Sequence, residues 1–181
     1  MKMYTTRGDT GQTDLLGERV TKDDPRIDLL GSLDEATSAI GLGRAQLQVK
    51  ELGEILIQTQ HDLYQIMAEL AFTDTTRPDS LRLAADRVEW LEAETDRLAA
   101  SVTLPREFVM PGETVSGAAL DVARTVVRRA ERQLVALPHK RKPVNPEILR
   151  YLNRLSSLLF MTARVEDLRD NTPVRLAKPG S

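Results

Sequence analysis

A chain of 181 residues with 25 Lys and Arg against 27 Asp and Glu is long enough to bury one ordinary core. It is too evenly charged to be a general nucleic-acid binder, which would need a strongly basic surface to displace counterions. The absence of cysteine excludes disulfides, thiolate nucleophiles and cysteine-bound zinc or iron–sulfur centres, and points to a reducing cytoplasm. No apolar run reaches membrane-spanning length and residues 1–9 lack the apolar core of a signal peptide, so a soluble, unprocessed chain is expected.

The first two dozen residues are loop-like and unlike the rest, with Gly8-Asp-Thr-Gly-Gln-Thr13 followed by Gly17-Glu-Arg-Val-Thr-Lys22. Glycines, hydroxyls and two cations in such proximity suit a backbone that wraps phosphates, with Lys22 and Arg19 supplying charge. They equally suit a glycine-containing terminus of no function. The segment is not a Walker loop, because no Gly-Lys-Ser/Thr opens a helix.

Five segments then carry helical periodicity, and β-branched alternation appears nowhere at length, which predicts an all-α bundle. The first helix starts at Asp24-Pro25, a cap followed by proline, and runs through Ile40 or slightly beyond. Ile27, Gly31, Asp34, Ser38 and Gly41 share one of its faces. Such a stripe of small residues permits close helix approach, so Asp34 is expected on a packed surface, where an ionised carboxylate needs a cation. Arg124 is the candidate partner, and a solvent-facing Asp34 is the plain alternative. The second helix has Leu52, Ile55, Leu56, Leu63, Ile66, Met67 and Leu70 at core spacing and stops in the polar break at 73–78. The third runs from about Ser80 to Ala100, with Leu81, Ala84, Val88, Leu91 and Leu98 on one side and Trp90 off the stripe.

Phe108-Val-Met-Pro-Gly112 is an apolar turn that delivers the chain into the fourth helix, which starts near Thr114 and stops by Pro138. There, Arg124, Arg128 and Glu131 fall within roughly 60° of one another, bordering the stripe of Ala119, Val126, Val127, Ala130, Leu134 and Leu137. Two readings stand: a solvated face with i,i+3 and i,i+4 ion pairs, or a strip that grips a polyanion. A basic loop, His139-Lys-Arg-Lys-Pro143, leads to the fifth helix. That helix opens at Asn145-Pro146, carries an amide and another arginine at Asn153 and Arg154, and ends about Asp167.

His61 and His139 lack metal-ligand spacing, and no nucleophile elbow, Rossmann fingerprint or paired catalytic carboxylate is present. An enzyme built from these residues would work by positioning and electrostatics.

Six blocks in one order carry a resemblance: Tyr4-Thr-Thr-Arg-Gly-Asp-Thr-Gly-Gln-Thr13, Arg19-Val-Thr-Lys-Asp-Asp-Pro-Arg-Ile27, Gly31-Ser-Leu-Asp-Glu35, Phe108-Val-Met-Pro-Gly112, Ala123-Arg-Thr-Val-Val-Arg-Arg-Ala-Glu-Arg132 and Tyr151-Leu-Asn-Arg-Leu-Ser156. Nearly end to end, the chain resembles the PduO-type ATP:cob(I)alamin adenosyltransferases. The resemblance implies a single domain, residues 1–181: an ATP-binding loop at 1–23, a ferritin-like up-and-down five-helix bundle at 24–168 and a tail at 169–181. It also implies a homotrimer whose ATP and corrinoid sites lie where two subunits meet.

By the same resemblance Thr5, Thr6, Arg7, Gly8, Asp9, Thr10, Gly11 and Thr13, with Lys22, would hold the triphosphate. Arg128, Glu131 and Asn153 would contact ATP and its magnesium, with Glu131 nearest the metal. Asp34 and Arg124 would form an intersubunit ion pair, and Phe108 would lie beneath the corrin ring. Arg128, Phe108 and Lys22 would thus serve the chemistry, with cobalamin as substrate and Mg2+ as cofactor. A flavoprotein reductase and an adenosylcobalamin-dependent enzyme would be partners; nucleic acid and membrane would not. The alternative is a nucleotide- or corrinoid-binding sensor, or an adenosylcobalamin carrier, without turnover. This chain departs from the pattern at Asp121, where many relatives carry histidine, at Ser157, where they carry aspartate, and at Arg7, one position later than their basic residue. An i,i+3 pair between Asp121 and Arg124 would make the first departure benign.

Overall fold

The computed structural model describes residues 4–72, 77–138, 145–169 and 174–178; the basic segment 139–143 and most of the polar break after the second helix lie outside them. In chain order come a 3-10 turn Thr6–Gly8, strands β1 Gln12–Leu15 and β2 Glu18–Thr21, and helices α1 Pro25–Ala45 and α2 Glu51–Ala71. A second 3-10 turn Asp79–Leu81 precedes α3 Asp86–Ser101, α4 Val115–Ala136 and α5 Glu147–Leu168.

The all-α expectation needs one correction: the N-terminal segment contains a β-hairpin. Its strands pair antiparallel from Gln12 with Thr21 to Leu15 with Glu18, around a tight turn in which Gly17 takes φ 115°, a conformation glycine adopts without steric cost. Burial alternates too weakly along these strands for a pattern to appear, because only Leu15 is buried. What holds them is polar and long-range. Arg19 donates to Asp14 at 2.7 Å and Gln12 at 3.0 Å, and the Leu16 amide donates to the Ala71 carbonyl at the end of α2.

Helix α1 begins where its cap predicts, with the Asp24 carboxylate accepting from the Arg26 amide at 3.0 Å and Pro25 inside the first turn. Leu29, Leu33, Ala36, Ile40 and Gly43 face the core. Gly43 lies so close to α4 that an added Cβ would sit 2.8 Å from Leu120 Cδ2.

Helix α3 starts at Asp86, later than Ser80, for a reason no local pattern encodes. The Leu83 amide donates to Glu69 Oε2 at 2.7 Å, and the Leu83 carbonyl accepts from Asn145 Nδ2 at 2.9 Å. These buried partners claim the peptide groups that a helix would use. Leu83 therefore fills the core, while Ala84 is exposed. Asn145 also caps α5, accepting the Glu147 amide at 3.1 Å.

Order around the bundle is not order along the chain: α4 packs against both α1 and α5, α2 lies on α1, and α3 lies on α5. One buried polar link ties α2, α3 and α5, because Asp62 accepts the Tyr151 hydroxyl at 2.8 Å and the Arg87 guanidinium at 2.9 Å. Burial, with the Asp62 charge and hydrogen bond, raises the Tyr151 phenol well above its ordinary range. The neutral phenol is thus favoured in the fold, so this contribution is full below the unfolded value near pH ~10 and is lost as pH climbs toward the folded one. Tyr151→Phe should cost about 2 kcal/mol at pH 7. In urea titrations that deficit should shrink above pH ~10; a gap independent of pH would count against the link.

Candidate functional site

Three adjoining cavities form one groove along α4 and α5. The first, 330 Å³, is lined by Arg128, Glu131, Arg132, Val135 and Asn153. The second, 300 Å³, shares Arg128 and adds Ser156, Ser157, Phe160, Met161 and, from α3, Thr95 and Ala99. The third, 440 Å³, shares Arg124 and Phe160 and opens between Asp121 and the turn that carries Phe108. The strip predicted on α4 thus borders a groove and not merely solvent, and its apolar neighbours from Ala119 to Leu137 are buried as expected.

At the first end, Asn153 donates to Glu131 Oε1 at 2.9 Å, so two residues singled out in different helices meet. Arg128 is exposed beside them, with no ion-pair partner among the described residues. Its neighbour Arg129 is taken up by Glu35 of α1. In the middle, Arg124 Nε reaches Asp121 Oδ1 at 3.0 Å, the i,i+3 pair that the Asp121 departure called for. No hydrogen bond engages the terminal guanidinium nitrogens of Arg124 among the described residues.

Beneath this pair lies a buried cluster that sequence reasoning missed. Arg164, 1% exposed, pairs with Asp121 and with Asp167 at 2.9 Å, its guanidinium 5.3 Å from the Phe160 ring centroid. Asp167 in turn accepts the Thr114 amide and hydroxyl at 3.1 and 2.8 Å. Burial pushes the Asp167 carboxyl above its ordinary range; the Thr114 hydroxyl, Arg164 and the Thr114 amide pull it down, and Asp121 adds to the rise. Two acids and two arginines therefore anchor the groove floor to the start of α4 with their charges balanced. An arginine with an acid three residues on, inside an apolar helix, was the available signal.

At the far end Phe108 is 88% exposed, yet its backbone is held. The Met110 amide donates to the Arg175 carbonyl and the Ala177 amide to the Phe108 carbonyl, both at 2.7 Å, and Arg175 lies 3.4 Å from Glu113. The C-terminal tail is thereby a strap on the turn, a pairing between remote segments that no motif announced. Gly112, at φ 116°, then redirects the chain into α4.

The N-terminal segment folds on itself. The Gly11 amide donates to the Gly8 carbonyl, the Lys22 amide to the Gly11 carbonyl, and the Lys22 amine lies over Gly8, 3.1 Å from where a Cβ would stand. Thr5, Thr6, Arg7, Asp9, Thr10 and Gly11 are exposed, with Gly8 and Thr13 half-buried. Arg19 requires a correction: it is spent on Gln12, Asp14 and the Arg7 carbonyl, leaving the exposed Arg7 and Lys22 as cations for a ligand. None of this segment lines the groove on α4. Within one chain, the two halves of the expected site stay apart.

Within this chain Asp34 takes the solvent-facing alternative. The small-residue stripe of α1 turns away from this chain's own core, and Gly31, Asp34 and Ser38 are exposed; within the protomer Arg124 pairs with Asp121 instead. His61 is exposed on α2, and His139 lies outside the described residues. Among the described residues no group of three or more potential ligating side chains could cage a metal, and no helix is long and apolar enough to cross a membrane.

Residues 3–166 match the family model described as Cobalamin adenosyltransferase. The chain is 40% identical over 173 residues to a corrinoid adenosyltransferase of Bacillus subtilis, covering 93% of this chain and 88% of that protein. It is 37% identical to the corrinoid adenosyltransferase PduO of Salmonella typhimurium, spanning half of that longer protein. Among solved structures it superposes, with TM-score 0.90 and 32% identity over 98% of this chain and all of the other, on a variant PduO-type ATP:corrinoid adenosyltransferase from Lactobacillus reuteri complexed with cobalamin and ATP.

Proposed function

The chain belongs to the cobalamin adenosyltransferase family, and from that premise we propose that it transfers the 5′-deoxyadenosyl group of ATP to cob(I)alamin, giving adenosylcobalamin and triphosphate. The observation that carries this reading is the groove itself: an exposed Arg128 beside a Glu131–Asn153 pair at one end, and an exposed aromatic on a strapped turn at the other.

The substrate brings its own nucleophile. Cobalt(I) gives an electron pair to the 5′ carbon, the carbon–oxygen bond breaks, and its pair leaves on the triphosphate, so no protein base is required. The protein's part is to align cobalt with carbon and to meet the departing charge. Arg128 does the second from the groove, and Lys22 does it from a neighbouring protomer. That division accounts for a phosphate-type loop and an arginine strip lying apart within one chain.

The groove also suits magnesium carried in by the nucleotide. Glu131 offers one carboxylate with Oε1 already engaged, which fits an ion that keeps phosphate and water ligands better than one needing a protein cage. When bound, the ion neutralises phosphate charge. At the other end Phe108 lies under the corrin ring and keeps the lower axial position empty, giving a base-off, four-coordinate cob(II)alamin that is easier to reduce. The reading brings with it a cytoplasmic setting, a flavoprotein reductase that supplies the electron, and an adenosylcobalamin-dependent enzyme that takes the product.

Assembly is a homotrimer in this reading, with Asp34 of one protomer meeting the terminal nitrogens of Arg124 in the next. Exposure of Asp34 and the one-sided use of Arg124 in the protomer support it. Asp34→Asn is then expected to weaken the trimer or raise the Kd for ATP by about tenfold, the worth of an interface charge pair. Sedimentation together with ATP titration showing neither change would remove the pair. For the activity, the test is to mix the protein with MgATP and chemically reduced cobalamin and follow the visible spectrum. Adenosylcobalamin should accumulate; ATP binding without product would favour a sensor or carrier.

A further inference from the structure

We infer that Arg154, which lines none of the three groove cavities, is a positioning residue that sets which way the Asn153 amide faces, with Glu92 of α3 as its anchor. The inference rests on the nucleotide-site reading above. Arg154 Nη1 donates to Asn153 Oδ1 at 2.7 Å, Asn153 Nδ2 donates to Glu131 Oε1 at 2.9 Å, and Arg154 Nε donates to Glu92 Oε1 at 2.8 Å. The four side chains make one line of hydrogen bonds from α3 through α5 to α4.

The two ends of an asparagine amide are nearly the same size, so packing alone does not choose between its two flips; hydrogen bonds do. Flipped, Asn153 would set its NH2 against a guanidinium and its oxygen against a carboxylate, losing two charge-assisted bonds and creating two repulsions. Arg154 can hold the amide only while its own fork is aimed, and Glu92 aims it. The consequence lies inside the groove. The fixed orientation leaves the second hydrogen of Asn153 Nδ2 and the second oxygen of Glu131, a donor and an acceptor on two residues that line one cavity, outside the bond between them. A nucleotide hydroxyl or a metal-bound phosphate can use both.

A double-mutant cycle on the full chain tests this. Arg154→Met keeps the aliphatic stem and removes the donors. It should raise KM for ATP about three- to tenfold, the range for one exposed charge-assisted bond, with kcat within about twofold and the melting midpoint unmoved. In an Asn153→Ala background the same substitution should have almost no further effect, because residues acting through one contact are not additive. Glu92→Ala removes the acceptor of Arg154 Nε and should raise KM for ATP in the same direction as Arg154→Met, and an unchanged KM would overturn the anchor. Arg154→Lys should weaken binding in the same direction by less, and serves should Arg154→Met fold poorly. An equal change in KM in both backgrounds, or none in either, would overturn the role of Arg154. A wild-type chain that binds no ATP by calorimetry would overturn the underlying site as well, which separates the two failures.

Discussion

A chain with Arg128 replaced by alanine is expected to fold as the parent does and to form adenosylcobalamin about 10² to 10³ times more slowly, the usual cost of removing one donor from a developing anion. Arg128 is exposed and has no ion-pair partner among the described residues, so its removal leaves no buried charge unmatched and opens no cavity. In the proposed reaction, negative charge accumulates on the triphosphate as the carbon–oxygen bond breaks. A fixed guanidinium there binds the transition state more strongly than the ground state, which lowers kcat as well as kcat/KM when it is lost. Arg128→Lys should recover part of the rate, since it keeps the charge but not the fork. Single-turnover rates at saturating ATP and cob(I)alamin, with a melting curve for each variant, decide the matter; an alanine variant within about threefold of the parent would remove Arg128 from the chemistry.

The second large effect is expected at Phe108. Its side chain is 88% exposed while its backbone is strapped by Arg175 and Ala177, an arrangement in which an apolar ring is held out in the open at the mouth of a cavity. So exposed a ring contributes little packing within the protomer, and in the proposed reading it serves the corrin that it covers. Beneath a corrin ring it would exclude water and the nucleotide-base tail from the lower axial position. The apolar surroundings of a metal control solvent access and thereby its reduction potential. Phe108→Ala should leave the melting midpoint in place, give a persistent five-coordinate cob(II)alamin spectrum in the presence of MgATP, and slow adenosylation by about two orders of magnitude, roughly 3 kcal/mol in barrier. A four-coordinate spectrum identical to that of the parent would reject this role.

Several parts of the molecule are legible in the residue order because their causes are local. Asp24-Pro25 and Asn145-Pro146 open α1 and α5 through bonds two residues long. The stripe from Ala119 to Leu137 is buried because a helix brings those positions to one side. The six blocks point to the family from end to end, which the comparisons bear out. Residues 12–21 look like loop because a hairpin with one buried side chain has almost no alternation to show. Leu81, Ala84 and Val88 keep helical spacing and so suggest a start for α3 near Ser80, but spacing carries no record of Glu69 and Asn145 bidding for the Leu83 backbone.

The site divides along the same line. Residue types and their helical spacing determined that Arg124, Arg128 and Glu131 would share a face, whereas the expectation that Asn153 would join them came from the resemblance. Only the tertiary structure decided which charges are free to act. Arg19 is consumed by the hairpin, Arg124 by half, and Arg164 and Asp167 are paired in the floor of the groove, while Arg128 and the Lys22 amine stay open to a ligand. The physical reason is that a helical period is a property of neighbours in the chain, whereas the partner of a charged group is whatever the packing brings within about 3 Å of it, and that distance is set by residues far away in sequence.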